Sequence, residues 1–352
     1  MAEVVNGGPR AGTVALVGRP NAGKSTLLNR MLGERVAAVS EKPQTTRHRI
    51  VGIVTEPRGQ MVLFDTPGMH KGKYRLDRRM VDTAIAALQD ADVVCLVVDV
   101  TAPFGGGDQH MLELLKRVEV PRIAVLNKID LVKKSRLLPL IERYATSGLF
   151  EEIVPLSALD GDGVAVLADL LWRQLPAGAP LYDPELLTLH PERFLAAERI
   201  REKVLLHTRD ELPFVTAVLV DSWEEDPERD LVRILVTILV ERESQRAIVI
   251  GRQGSLIKTI STEARHDLEE MLGKQVFLRA NVRCEPKWRE SRGVLDLLER
   301  EAVAAELPEL PSASAEDADQ DSAAERADGE DREPADAADG GDDPLSDGSA
   351  VT

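Results

Sequence analysis

Eight residues, Gly18-Arg19-Pro20-Asn21-Ala22-Gly23-Lys24-Ser25, stand between an apolar run at Val14–Val17 and a segment of helical spacing that opens at Lys24. A turn of the form GxxxxGK[ST] in that setting curls the backbone until successive N–H groups point into one concavity. The start of the helix adds the positive end of its dipole. The product is a cradle for phosphate, and it requires a strand feeding the turn and a helix leaving it. Gly18, Asn21, Ala22, Gly23 and Thr26 are candidate nucleotide contacts in this loop. Lys24 is placed to reach β- and γ-phosphates, and the Ser25 hydroxyl is placed for Mg2+.

The surrounding pattern supplies such a frame. TVALVG, MVLFD, DVVCLVVDV, RIAVLN and EIVPLS are near-continuous apolar runs, as expected of strands buried on both faces. KSTLLNRML, RLDRRMVDTAIAAL, QHMLELLKRV and DGVAVLADLLWRQL fit helices between them. Ile50–Thr55 and Gln60–Phe64, joined by a short PRG turn, predict a hairpin. The reading is an α/β doubly wound domain over residues 13–176, after a loose leader at 1–12.

Three further motifs fall at predicted strand ends, where open α/β sheets bind ligands. Asp65-Thr66-Pro67-Gly68 offers an acid to hold Mg2+ through water and a Gly68 N–H to sense a γ-phosphate. Asn127-Lys128-Ile129-Asp130 offers a carboxylate, Asp130, that can accept from the ring N–H and exocyclic amine of guanine, with the Lys128 stem along the base. Ser157-Ala158-Leu159 offers a backbone N–H to the guanine carbonyl. Adenine cannot reciprocate the Asp130 pairing, so an ATPase or kinase is excluded. Lys24 and Gly68 are the candidates for the catalytic step within these motifs.

Residues 177–191 are proline-rich without a clear period and read as a linker. A second unit, 192–300, reads helix (Arg193–His207), strand (Phe214–Trp223), strand (Leu231–Val240), helix, GRQG, helix (Ser255–Leu272), strand (Gln275–Arg283), helix. Ile250-Gly251-Arg252-Gln253-Gly254 places a GxxG turn between two helices, and with that element order it points to an α+β type II KH fold. Such a turn admits a single-stranded nucleic-acid backbone. Ile250, Gly251, Arg252, Gln253, Gly254, Lys258, Arg283, Lys287 and Arg289 are the candidate RNA contacts, and Arg279 belongs to the same stripe of basic residues. Trp288 is read as packing the last helix rather than stacking on RNA. His48 and His70 are read as exposed loop histidines.

Charge supports RNA only when read locally. The formal net charge is -16, but the first 300 residues carry 42 basic and 43 acidic groups, whereas the remainder carries 2 and 17. The acidity therefore belongs to the segment 301–352, whose composition predicts disorder. No apolar run reaches the ~18 residues of a membrane span, and the opening residues lack the pattern of a secretory leader. Two distant cysteines, Cys95 and Cys284, make neither a disulfide framework nor a metal cluster, which predicts reduced thiols in a cytoplasmic protein.

The four nucleotide motifs resemble a translation-factor-class GTPase. Pro43-Gln44-Thr45-Thr46-Arg47-His48-Arg49 is similar to switch I of the Era family of ribosome-assembly GTPases, and Val282-Arg283-Cys284-Glu285-Pro286-Lys287-Trp288-Arg289 resembles that family's VxVxxxWR ending. The resemblance spans Val14 to Arg300. It implies a Mg2+ ligand at Thr46, with Thr45 its rival, beside Ser25 and Asp65. It implies a K+ role for Asn21 and slow turnover, because Met69 stands where many GTPases carry a water-orienting glutamine. It also implies GTP and GDP as ligands, 16S rRNA near its 3′ end and the 30S subunit as partners, a monomer, and peripheral association with the inner face of the cell membrane. Two other readings stand beside it. One is a membrane-linked signalling or cell-cycle GTPase without an essential RNA role. The other is a nucleotide-gated RNA-binding module in which hydrolysis hardly matters.

Overall fold

The structure, a computed structural model, describes residues 8–69 and 72–302. The opening of the predicted leader, His70 and the acidic tail from residue 303 lie outside the described residues.

The first sheet comprises β1 (Arg10–Val17), β2 (Ile50–Glu56), β3 (Gly59–Asp65), β4 (Val93–Asp99), β5 (Arg122–Asn127) and β6 (Glu152–Leu156), in the order β2-β3-β1-β4-β5-β6. β2 and β3 form the antiparallel hairpin, and every other pair is parallel. The central strands are buried along nearly their whole length because helices cover both faces. α1 (Lys24–Leu32) and α5 (Val164–Gln174) pack Leu27, Leu28, Leu167 and Leu171 against Leu16, Leu63 and Val97 on one face. On the other face, α2 (Arg75–Gln89), α3 (Gly106–Leu115) and α4 (Leu137–Thr146) bring Ala84, Leu88, Met111, Leu115 and Tyr144 onto Ala15, Val17 and Leu96. All three motif loops and the glycine-rich turn leave this sheet at one end.

Three local readings are corrected. α4 is a helix absent from the pattern read in the sequence; its Pro139 lies in the first turn, where the missing N–H is unpaired in any case. β1 starts at Arg10, inside the predicted leader, because Arg10–Gly12 pair with Gly59–Met61 and the Ala11 N–H donates to the Pro176 carbonyl at 3.1 Å. The predicted linker is a strap along the edge strand β2. Ile53 N–H donates to Leu187 O at 2.9 Å, Thr188 Oγ1 to Val51 O at 2.5 Å, and Val51 N–H to His190 Nε2 at 3.0 Å. An otherwise open sheet edge is thereby paired.

The second sheet holds β7 (Ala217–Asp226), β8 (Leu231–Val240) and β9 (Gln275–Cys284), with β7 antiparallel and β9 parallel to the central β8. α6 (Glu192–His207), α8 (Glu243–Ile250) and α9 (Ser255–Leu272) cover one face, and Ala196, Ile200, Val204, Ile260, Ala264 and Leu268 pack on Ile234, Val236 and Ile238. The strand expected from Phe214 begins only at Ala217. Leu212–Val215 is a single helical turn, α7, in which Pro213 has no N–H to offer a ladder. α10 (Arg292–Ala302) closes the described chain, two residues beyond the predicted end of this unit. Trp288, just before it, is wholly buried, and its Nε1–H donates to Val215 O at 2.8 Å.

Candidate functional site

The turn after β1 is shaped by close approach. Gly23 has φ 94, and a Cβ there would lie 2.2 Å from the Asn127 side-chain nitrogen, so only glycine lets the loop and the end of β5 meet. Lys24 is 5% exposed and donates to the Arg19 carbonyl at 3.2 Å, folding back over the loop. Burial lowers its ammonium below the ordinary lysine value, and the Asp65 charge partly restores it. Burial in turn raises the Asp65 carboxyl, against the pull of Lys24 and of two hydroxyl groups.

Those hydroxyls belong to Ser25 and Thr46. Ser25 Oγ lies 2.8 Å from Thr46 Oγ1 and donates to Asp65 Oδ2 at 2.5 Å; Thr46 Oγ1 donates to the same oxygen at 3.1 Å. Oxygens from the loop helix, from residues 36–49 and from the end of β3 thus converge on one point. Asp65 Oδ1 is buried with no hydrogen-bond partner among the described residues. A hard-oxygen set with an unsatisfied carboxylate oxygen fits Mg2+. Thr45 points elsewhere: its hydroxyl donates to Lys42 O at 2.6 Å within its own loop. Gly68 abuts the glycine-rich turn, where a Cβ would meet Pro20 at 2.7 Å. Met69 is buried in the core with Ala15 and Val17.

Asn127 is a strut between loops: its side-chain N–H donates to Ala22 O at 2.8 Å and its oxygen accepts the Ala158 N–H at 2.9 Å. Ser157 is buried, and its hydroxyl accepts the Asp160 N–H at 3.1 Å. Lys128 sits in left-handed backbone and donates to Asp99 at 2.6 Å. Burial alone would raise the Asp99 carboxyl, but hydrogen bonds from Lys128 and Thr101 outweigh it and hold it below the usual range. Asp99, at the end of β4, was missed in the sequence, although the strand-end rule points to it.

A cavity of about 850 Å3 joins these parts. Asn21, Gly23, Lys24, Ser25, Thr26, Thr46, Gly68, Asn127, Lys128, Asp130, Ala158 and Leu159 line it. Gly18, Ala22, Asp65 and Ser157 stand behind its wall. The size suits a nucleotide. Leu206, Thr208 and Arg209, from the end of α6 and just beyond, also line it. No sequence motif marked these three.

On the second sheet the GxxG turn bends at Gly251, φ 75, where a Cβ would press on Leu256 at 2.7 Å. Arg252, Gln253, Lys258, Arg279, Arg283 and Lys287 are exposed, Ile250, Gly251 and Gly254 half-buried. Phe277 and Ile248 add exposed apolar surface, Phe277 at the same strand parity as Arg279 and Arg283. Arg289 does not join this stripe. It is buried, forks onto Glu241 at 3.0 and 2.7 Å, and lies over the Tyr74 ring at 3.7 Å. His48 is not an exposed loop histidine either: it is half-buried, edge-on to Phe194 at 5.6 Å, and burial pushes its pKa down to about 4.

Comparison with known proteins accounts for both parts. Residues 13–128 match the family model described as 50S ribosome-binding GTPase, and residues 211–289 match the KH domain. The chain is 46% identical to GTPase Era of Geotalea uraniireducens over 286 residues, which are 81% of this chain and 96% of that protein. It is 44% identical to GTPase Era of Syntrophus aciditrophicus over 81% of this chain and 94% of the relative. Among solved structures it is similar to Era in complex with MgGDPNP and nucleotides 1506–1542 of 16S ribosomal RNA, with TM-score 0.80, 37% identity, and coverage of 82% of this chain and 98% of the other. A variant of Aquifex aeolicus Era bound to GDP and AlF4− matches with TM-score 0.80 and 36% identity, over the same shares of the two chains. Extending through both the nucleotide cavity and the GxxG unit, this likeness shows that the chain belongs to the Era family of GTPases.

Proposed function

We propose that the chain is a guanine-nucleotide switch that binds 16S rRNA near its 3′ end through its KH unit and acts in assembly of the small ribosomal subunit. The observation that carries this reading is the pairing of two sites in one compact unit: the Ser25–Thr46–Asp65 convergence and the exposed GxxG face. GTP occupies the cavity with its phosphates on residues 18–26. Lys24 lies against the bridging and terminal phosphate oxygens, Asp130 reads the guanine edge, and Lys128 flanks the base. Ser25, Thr46 and Asp65 would hold Mg2+, which when bound would supply positive charge against the phosphate oxygens. The Gly68 N–H senses the γ-phosphate.

Met69 is packed in the core and offers the attacking water nothing, so unaided turnover is slow. K+ near Asn21 belongs to the same reading. The Asn21 side-chain nitrogen donates to Glu41 O at 2.6 Å, which leaves the amide oxygen as the candidate ligand. None of the described helices is long and apolar enough to cross a membrane, so contact with the membrane would be peripheral.

The test is RNA crosslinking with sequencing on the purified protein with GDP or GDPNP. A GDPNP-dependent footprint at the 3′ end of 16S rRNA, lost on changing Gly251 and Gly254 to Asp, is expected. A flat profile in both states breaks the link between the sites. Equal GTPase rates in KCl and NaCl would remove K+ from the mechanism.

A further inference from the structure

Thr46 is gripped on both sides by the KH unit. The carbonyl of Thr45, immediately before it, accepts a hydrogen bond from Arg201 of α6, whose Nε also donates to Glu198 at 2.7 Å. The guanidinium of Arg47, immediately after it, donates to Thr216 O at 2.6 Å, Pro213 O at 3.0 Å and Phe214 O at 3.2 Å, and lies over the Trp288 ring at 5.6 Å. A third grip falls earlier in the loop. Glu202 accepts the Val39 N–H at 3.1 Å and pairs with Arg35 at 2.7 Å. The segment that brings the Thr46 hydroxyl to Ser25 and Asp65 is therefore pinned at residues 39, 45 and 47 by side chains and carbonyls of the other domain.

This is expensive glue. Arg47 and Arg201 are both buried, close enough for their like charges to oppose each other, and Arg47 Nε and Arg201 Nη1 are buried without hydrogen-bond partners among the described residues. A permanent interface would be better served by apolar side chains. The arrangement makes sense where another binding event shares the cost.

Resting on the assignment of Thr46 to Mg2+·GTP made above, we propose that Arg201 and Arg47 are positioning residues for Thr46. The docked KH unit holds this loop in its γ-phosphate-sensing geometry, so preference for GTP over GDP is built by both domains. Linkage then runs both ways: Mg2+·GTP tightens the docking by the same factor that docking tightens Mg2+·GTP.

Fluorescent GDP and GDPNP titrations of the full chain test this, with and without Mg2+. Arg201→Ala should lower affinity for GDPNP about tenfold, the scale of a lost hydrogen bond from a charged donor, and leave GDP within about twofold. Arg201→Lys, which can still reach the Thr45 carbonyl, should restore a good part of the loss. Removing Mg2+ should abolish the difference between wild type and Arg201→Ala, because the positioning acts through the metal ligand. Should Arg201→Ala fail to fold, Arg47→Lys, which keeps the charge but loses the three-carbonyl fork, must show the same selective loss. Equal losses for both nucleotides, or no loss in a folded variant, overturn the proposal. A wild-type chain that fails to bind GDPNP with Mg2+ overturns the assignment of Thr46, and the clamp falls with it.

Discussion

The two faces of the KH unit use basic residues in opposite ways. Toward the nucleotide domain, Arg201 and Arg289, with Arg47 reaching in from that domain, are buried and committed to carbonyls, carboxylates and aromatic faces. Around the GxxG turn and β9, Arg252, Lys258, Arg279 and Lys287 are exposed and make no ion pairs among the described residues. The same residue types are spent on geometry in one region and held available in the other. Pairing, not charge, separates an interface from a nucleic-acid face. Mutations should therefore fall into two kinds, those that change nucleotide selectivity or stability and those that change salt-dependent RNA binding.

Lys24 is the buried cation with the largest expected effect. Lys24→Ala removes the charge proposed to face the phosphates and leaves the buried Asp65 carboxylate without its neighbouring cation. GTP and GDP affinity should each fall by about a hundredfold or more, in line with about 3 kcal/mol for a desolvated charge contact. Isothermal titration would show it. Near-normal affinity would mean that the cavity is not held together by this lysine.

The interface also carries a pH dependence. Burial, opposed by the Glu198 carboxylate and aided by the charges of Arg201 and Arg47, holds the folded pKa of His48 at about 4, below the unfolded value of 6.5. The unfolded chain therefore binds more protons between these values, and stability falls as pH drops from about 6.5 to about 4, with no further contribution below. The shift corresponds to at most about 3 kcal/mol. His48→Gln should flatten that part of the urea-denaturation profile, and an unchanged slope would show that His48 titrates alike in the folded and unfolded chains.

How much of this was legible depended on how local each feature is. The glycine-rich turn, DTPG and NKID are short motifs whose strands and helices follow from nearby periodicity, and the sheet order grows from them. The triad geometry was less visible. Thr45 and Thr46 are identical in type, and only their side-chain directions separate them: Thr45 turns back to Lys42 O, and Thr46 reaches Ser25 and Asp65. α4 was not read at all, although its one proline lies in the first turn, where a helix tolerates it. Arg289 and His48 were misplaced because their surroundings come from distant elements: Glu241 follows β8, and Phe194 lies in α6. A basic residue beside a GxxG unit looks like an RNA contact until its carboxylate partner is known.

Arg279 and Arg289 make the sharpest paired test of that distinction. Arg289→Ala leaves Glu241 unpaired in a partly buried interface and should cost about 2 kcal/mol of stability, read as a lowered Tm. It should leave the salt dependence of RNA affinity untouched, because its guanidinium does not face solvent. Arg279→Ala should leave Tm within error and shift the salt dependence. For single-stranded RNA each lost phosphate contact reduces the magnitude of the slope of log affinity against log salt by about 0.7. Binding of a 16S 3′-end oligonucleotide measured at several KCl concentrations separates the two. If Arg289→Ala changed the slope and Arg279→Ala did not, the assignment of the two faces would be reversed, and RNA would have to enter on the side that holds switch I.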